Sequence, residues 1–204
     1  MTETLIAIEG LDGSGKTTQV AMLAAALHAA EVVSFPRYEW FIGQRIRELL
    51  DSTGEVSAQT LDPQSMALWY ATDRAQWARD RKPVDGIVLL NRYTLSNAVY
   101  QSARSAEPDL FDWVLQLEFK ELGLPQPDVT VVLDIPTDVS QARVAHRDGA
   151  AGDVYERATD LLARVRDGYL SAASRLPNVV VVPAVGPPES VHAAVLAALT
   201  PFIP

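Results

Sequence analysis

The chain has 204 residues, 48% hydrophobic and 21% charged, enough for one globular domain with a sizeable core and too apolar for a disordered chain. A formal net charge of −9 argues against a general nucleic-acid-binding surface, so any bound anion must be held by local cations. Without cysteine there are no disulfides or thiolate metal sites; with no basic, apolar leader and no membrane-length apolar run, the expected location is the cytoplasm and no membrane partner is expected.

Five short apolar runs read as strands, over 4–8, 32–35, 86–90, 129–133 and 179–182. Helical spacing of apolar residues predicts helices over 16–29, 41–51, 63–81, 95–105, 109–121, 138–147, 155–175 and 188–199. The alternation predicts an α/β fold, with a five-stranded parallel sheet covered by helices on both faces. Asp62-Pro63 looks like an N-cap with proline at the first helical position, and Gly123 with Pro125 closes the helix before 129. No repeat, low-complexity tract or long linker divides the chain, so residues 1–204 read as a single domain.

The first strand runs into Glu9-Gly10-Leu11-Asp12-Gly13-Ser14-Gly15-Lys16-Thr17-Thr18, which fits G-x-x-x-x-G-K-[ST]. Glycines let the backbone curl so that successive N–H groups point at phosphate oxygens. Lys16 would reach the outer phosphates and Thr17 would offer its hydroxyl to Mg²⁺. Flanked by a strand and a helix start, the motif predicts ATP or GTP binding.

In a parallel sheet the active crevice lies beyond the carboxyl ends of the strands. The second strand is followed by Phe35-Pro36-Arg37-Tyr38, the third by Asn91-Arg92-Tyr93, the fourth by Asp134 and Pro136. Arg37 and Arg92, beside a phosphate loop in an acidic protein, suit bidentate contact with a second phosphate, or each pairs with a rim carboxylate. Such an acceptor is already a nucleophile and needs cations rather than a carboxylate base, which favours a nucleoside monophosphate over a nucleoside.

EGLDGSGKT, FPRY, YATDRA at 70–75, NRYTLSNAVY at 91–100 and GLPQPDVTVVLD at 123–134 together resemble the bacterial thymidylate kinases, in order and over almost the whole chain. The resemblance implies a P-loop kinase fold, transfer of a phosphoryl group from MgATP to dTMP to give dTDP, and a homodimer. It implies that Arg37 and Arg92 hold the acceptor phosphate and that Asp12 lies near the sugar 3′-OH. Tyr70 would stack on thymine, Arg74 would donate to its 4-oxo group, and Asn97 and Tyr100 would read the base edge and crowd the ribose 2′ position. Phe35 and Pro36 would help to form the same pocket. On spacing alone these residues have other readings: Tyr70 as core among Met66, Leu68, Trp69 and Trp77, Asn97 as a helix-start cap, Arg74 as a surface charge.

Residues 143–157 read as a short lid, RVAHRDGAAGDVYER, with Gly149 and Gly152 permitting closure. The phosphate loop offers Gly13-Ser14 rather than a basic residue, so the resemblance assigns the catalytic arginine to the lid: Arg147 first, Arg143 second, with Arg157 pairing to Glu156 or Asp153. Where the family usually has Asp-Arg at the third strand's end, this chain has Asn91-Arg92. Asparagine keeps the shape and an acceptor oxygen but supplies no charge. The missing metal-side carboxylate is then Glu9 or Asp134, or activity is reduced or lost; reduced activity is the expectation. The 109–121 helix is apolar enough to serve as a dimer interface, and Arg37→Ala is expected to spare folding. Other deoxynucleotide or deoxynucleoside kinases, and a non-catalytic nucleotide-binding module, are the alternatives.

Overall fold

The computed structural model describes residues 3–51, 56–105, 109–148 and 159–203. The strands are β1 (Glu3–Gly10), β2 (Glu31–Ser34), β3 (Gly86–Asn91), β4 (Val129–Asp134) and β5 (Val179–Pro183). The helices are α1 (Lys16–Ala26), α2 (Phe41–Asp51), α3 (Pro63–Asp80), α4 (Thr94–Arg104), α5 (Phe111–Gln116), α6 (Thr137–Asp148), α7 (Thr159–Arg175) and α8 (Pro188–Leu199). The strands form one parallel sheet in the order β2-β3-β1-β4-β5.

Alternation along the central strands explains the two-sided cover. Ile6 and Ile8 of β1, with Ile87 and Leu89 of β3, face one buried cluster; Leu5, Ala7, Val88 and Leu90 face another. A strand apolar on both faces must be covered by helices on both faces, and the parallel sheet provides this. No helix among the described residues is long and apolar enough to cross a membrane.

Among the described residues the elements follow the expected order, with two local departures. The 109–121 helix is α5 followed by a π-helical turn, Leu117–Glu121, in which the Leu122 N–H donates to the Leu117 carbonyl at 2.9 Å. Its apolar residues Phe111 and Val114 are buried in the chain's own core, so they are not free to form a dimer face. Helix α1 stops at Ala26, short of 29, and His28 follows in a left-handed conformation. Residues 149–157 of the expected lid and 155–158 of the expected 155–175 helix lie outside the described residues, whereas Arg143 and Arg147 are on α6. Asp62 caps α3 as expected, its carboxylate accepting from the Ser65 N–H at 2.9 Å.

Candidate active site

The turn after β1 needs glycine for two reasons. Gly10, Gly13 and Gly15 all take positive φ (136°, 73° and 91°), which side chains rarely adopt. A Cβ on Gly10 would also lie 2.5 Å from the Leu133 carbonyl oxygen, because β1 and β4 pair there in register. From this loop Lys16 turns back to donate to the carbonyls of Gly10 (3.1 Å) and Leu11 (2.8 Å). Burial, and then the Arg92 cation, push its ammonium down to about 7 against the pull of Asp12 and Glu9. A phosphate here would replace those carbonyl partners and restore the charge.

Arg92 sits in the left-handed region at φ 65°, a sparsely populated conformation for a non-glycine residue. Its guanidinium donates to Asp12 at 2.5 Å and to the Ser96 hydroxyl at 3.2 Å, and lies 5.7 Å from the Tyr100 ring. Burial alone would raise the Asp12 carboxyl, but Arg92 and Lys16 hold it at about 2. The Tyr100 hydroxyl completes the group with a 3.4 Å hydrogen bond to Asp12. Residues 80 or more positions apart in sequence thus meet at one point, the mouth of the phosphate loop.

A cavity of about 1010 Å³ opens beside this cluster. It is lined by Asp12–Thr18, by Phe35, Pro36, Tyr70, Arg74, Asn91, Arg92, Asn97 and Tyr100, and by Arg143 and Arg147. Apart from Arg37, the expected phosphate and base residues therefore share one space with Arg143 and Arg147. Tyr70 is half-buried at its edge and Asn97 lies inside α4, three residues past the start, so Asn97 is not a cap. Arg74 is no surface charge: it is buried, with Nε and Nη2 donating to Glu118 at 2.6 and 2.5 Å. Arg143 donates to the carbonyl of Gly13 at 3.1 Å, which ties α6 to the loop.

Arg37 is placed differently. It is buried against Asp73, which accepts from the Arg37 backbone N–H (2.8 Å) and Nε (3.2 Å), while Nη2 donates to the Asp73 carbonyl (3.0 Å). Only its neighbours Phe35, Pro36 and Tyr38 line the cavity.

Three side chains bear on a metal site. Glu9 is buried and accepts from the N–H groups of Tyr93 (2.8 Å) and Ser96 (3.0 Å) and from the Ser96 hydroxyl, so its carboxylate anchors the start of α4. Desolvation raises its carboxyl despite these donors and Arg92. Asp134 is held by Arg166 through two hydrogen bonds, 2.7 and 2.9 Å. Both carboxylates are thus committed elsewhere. Asn91 remains at the cavity, its Nδ2 3.2 Å from the Ser34 hydroxyl and 3.5 Å from that of Thr17, and its buried Oδ1 has no protein partner. Thr17 Oγ1 is suited to Mg²⁺ or its bound waters, and Asn91 would join it through Oδ1 once its amide turns over, with nucleotide phosphates supplying the rest.

Sequence reasoning missed Glu118, Asp73 and Arg47. Glu118 stands within an apolar stretch, Leu115, Leu117 and Phe119, and a charge there was the available signal. Arg47 reaches the cavity from α2, its guanidinium 4.2 Å from the Tyr38 ring, and nothing local marks it.

The family model described as thymidylate kinase matches residues 8–195. The chain is 34% identical over 187 residues to the thymidylate kinase of Mycobacterium tuberculosis, covering 84% of this chain and 86% of the relative. It is 36% identical over 206 residues to the thymidylate kinase of Thermomicrobium roseum, covering 96% and 93%. The solved structure of the Candida albicans thymidylate kinase shares the fold, with a TM-score of 0.77 at 24% identity over 98% of this chain and 92% of that one. This chain belongs to the thymidylate kinase family.

Proposed function

We propose that the protein transfers the γ-phosphoryl group of ATP to dTMP, releasing ADP and dTDP, with the residues above in the following roles. The observation that carries it is one cavity lined both by the phosphate loop and by Arg74 and Asn97, whose Oδ1 has no partner. Among the described residues Asn97 Oδ1 is buried without a partner. The thymine edge offers a matching N3–H donor and 4-oxo acceptor, with Tyr70 against the ring face.

In the transfer, an oxygen of the dTMP phosphate attacks the γ-phosphorus while the bond to the β–γ bridging oxygen breaks and ADP leaves. Two anions must approach, so the protein's work is positioning and charge neutralisation. The loop N–H groups and Lys16 hold the donor's phosphates. Arg92, steadied by Asp12, holds the acceptor phosphate, with Arg37 fixed by Asp73 behind it. Arg147, then Arg143, supply positive charge from α6. Mg²⁺, held through Thr17 and Asn91, would screen the donor phosphates. One domain carries every role, as a homodimer in the cytoplasm.

A coupled ADP-release assay over a panel of acceptors tests this. Turnover is expected with dTMP, less with dUMP, and little with thymidine, ribothymidylate, AMP or GMP. Thymidine outrunning dTMP would make the protein a nucleoside kinase. ATP binding without turnover on any acceptor would make it a nucleotide-binding module.

A further inference from the structure

We propose that Glu118, which does not line the cavity, is the positioning residue that makes the base site select thymine over cytosine. The proposal rests on the dTMP reading above and deepens it. Glu118 is fully buried in the π-helical turn after α5. Such turns are uncommon and concentrate at functional sites. Each of its oxygens accepts twice: Oε2 from Arg74 Nε (2.6 Å) and Thr94 Oγ1 (2.7 Å), Oε1 from Arg74 Nη2 (2.5 Å) and Asn97 Nδ2 (2.8 Å). One carboxylate therefore holds both Arg74 and Asn97, the two cavity-lining residues assigned above to the base edge.

What it holds is their polarity. The Asn97 amide nitrogen lies between Glu118 Oε1 and the Ala67 carbonyl oxygen, 3.0 Å away. Both neighbours can only accept, so the NH₂ must be there and Oδ1 must be the atom left buried and unpartnered. Arg74 spends two of its five N–H donors on Glu118, which leaves both hydrogens of Nη1 and the second of Nη2 as the remaining donors. The site thus presents an acceptor next to a donor in a fixed order. Thymine, with N3–H and a 4-oxo oxygen, meets both. Cytosine presents a lone pair at N3 and an NH₂ at C4, and opposes both. A pocket that leaves buried polar groups facing like groups rejects a ligand far more strongly than one that merely fits it loosely.

A neutral glutamine at 118 breaks the arrangement without changing its shape. Its NH₂ must replace one oxygen. On the Oε1 side it opposes Asn97 Nδ2 and Arg74 Nη2; turning the Asn97 amide over removes the first conflict but sets Oδ1 against the Ala67 carbonyl, so neither orientation of the amide is held. On the Oε2 side it opposes Arg74 Nε and loosens the guanidinium. Either way the acceptor–donor order is no longer enforced.

The test is steady-state kinetics of wild type and Glu118→Gln with dTMP and dCMP at saturating ATP, with thermal unfolding to confirm the fold. The expected result is a dTMP KM raised about tenfold or more, a kcat changed far less, and a dTMP-to-dCMP ratio of kcat/KM lowered about tenfold or more. A purely structural role would lower the two substrates together and leave the ratio in place, which would overturn the proposal. If Glu118→Gln does not fold, Thr94→Val, which removes one donor to Oε2, decides: a ratio lowered about threefold supports the proposal and an unmoved ratio overturns it. A wild type that does not itself prefer dTMP would overturn the dTMP reading beneath it, a result distinct from an unmoved ratio in a selective enzyme.

Discussion

Arg92 and Arg37 end neighbouring strands, yet truncating them should have different consequences. Arg92 is partly exposed to the cavity and tied to Asp12, so Arg92→Ala should cost dTMP turnover about 2–5 kcal/mol in kcat/KM with a smaller effect on unfolding. Arg37→Ala would leave Asp73, 1% exposed, without its cation, so folding should lose about 3–5 kcal/mol as well. The expectation that folding would be spared came from giving Arg37 a substrate phosphate for its partner, whereas the structure pairs it with the buried Asp73. Urea unfolding alongside kinetics separates the two; an Arg37→Ala protein as stable as wild type would show that Asp73 finds another partner. Asn91 supports a second prediction. With Glu9 spent on α4 and Asp134 on Arg166, Asn91→Asp puts an uncommitted carboxylate beside Thr17. It should raise kcat at limiting Mg²⁺ with little change in the dTMP KM. Equal kcat and equal Mg²⁺ dependence in the two proteins would show that the reaction does not use a carboxylate at this strand end.

Helix α4 carries Asn97 and Tyr100, and its position depends on α7 packed beside it. The contact is close at Gly168, where an added Cβ would lie 2.8 Å from Val99 Cγ1. Valine is stiff at χ1 and cannot swing away cheaply. Gly168→Ala should therefore lower stability by about 1–3 kcal/mol, more than the gain of about 1 kcal/mol from alanine's helix propensity. In a Val99→Ala background the same change should be neutral or stabilising, and the double-mutant cycle in thermal unfolding checks it; the same loss in both backgrounds would mean that the contact is not the cause. The elements themselves were readable from the chain, because apolar spacing reports the face a helix or strand buries. The π-helical turn was not, since Leu117–Glu121 keeps helical spacing and differs only in which carbonyl each N–H finds. The site divides in the same way. Lys16, Thr17 and Arg92 were readable because local spacing and strand ends locate them. Glu118 and Asp73 were not, because each pairs with an arginine far along the chain, and a buried charge and an exposed one are the same letter.

The whole molecule carries −9, yet among the described residues six cations, Lys16, Arg47, Arg74, Arg92, Arg143 and Arg147, line one cavity against the carboxylates of Asp12 and Asp51. An acidic surface around a basic crevice repels polyanions that cannot enter and focuses field lines on small anions that can. The two substrates are such anions, so their capture should depend on salt even though the protein as a whole shares their sign. Raising monovalent salt from about 0.01 M to about 0.15 M shortens the screening length from about 30 Å to about 8 Å, shorter than the path over which the cavity can attract a ligand. The KM values for dTMP and ATP should both rise several-fold over that range, with kcat nearly constant, because the bound phosphates are within hydrogen-bonding distance and little screened. Thymidine, which presents the same base without a phosphate, supplies the control: its inhibition constant against dTMP should stay flat. A parallel rise for thymidine would show that salt acts on the protein rather than on the charge of the ligand. A flat KM for both nucleotides would mean that the surrounding acidic surface cancels the six cations beyond contact distance, leaving capture to the hydrogen bonds alone.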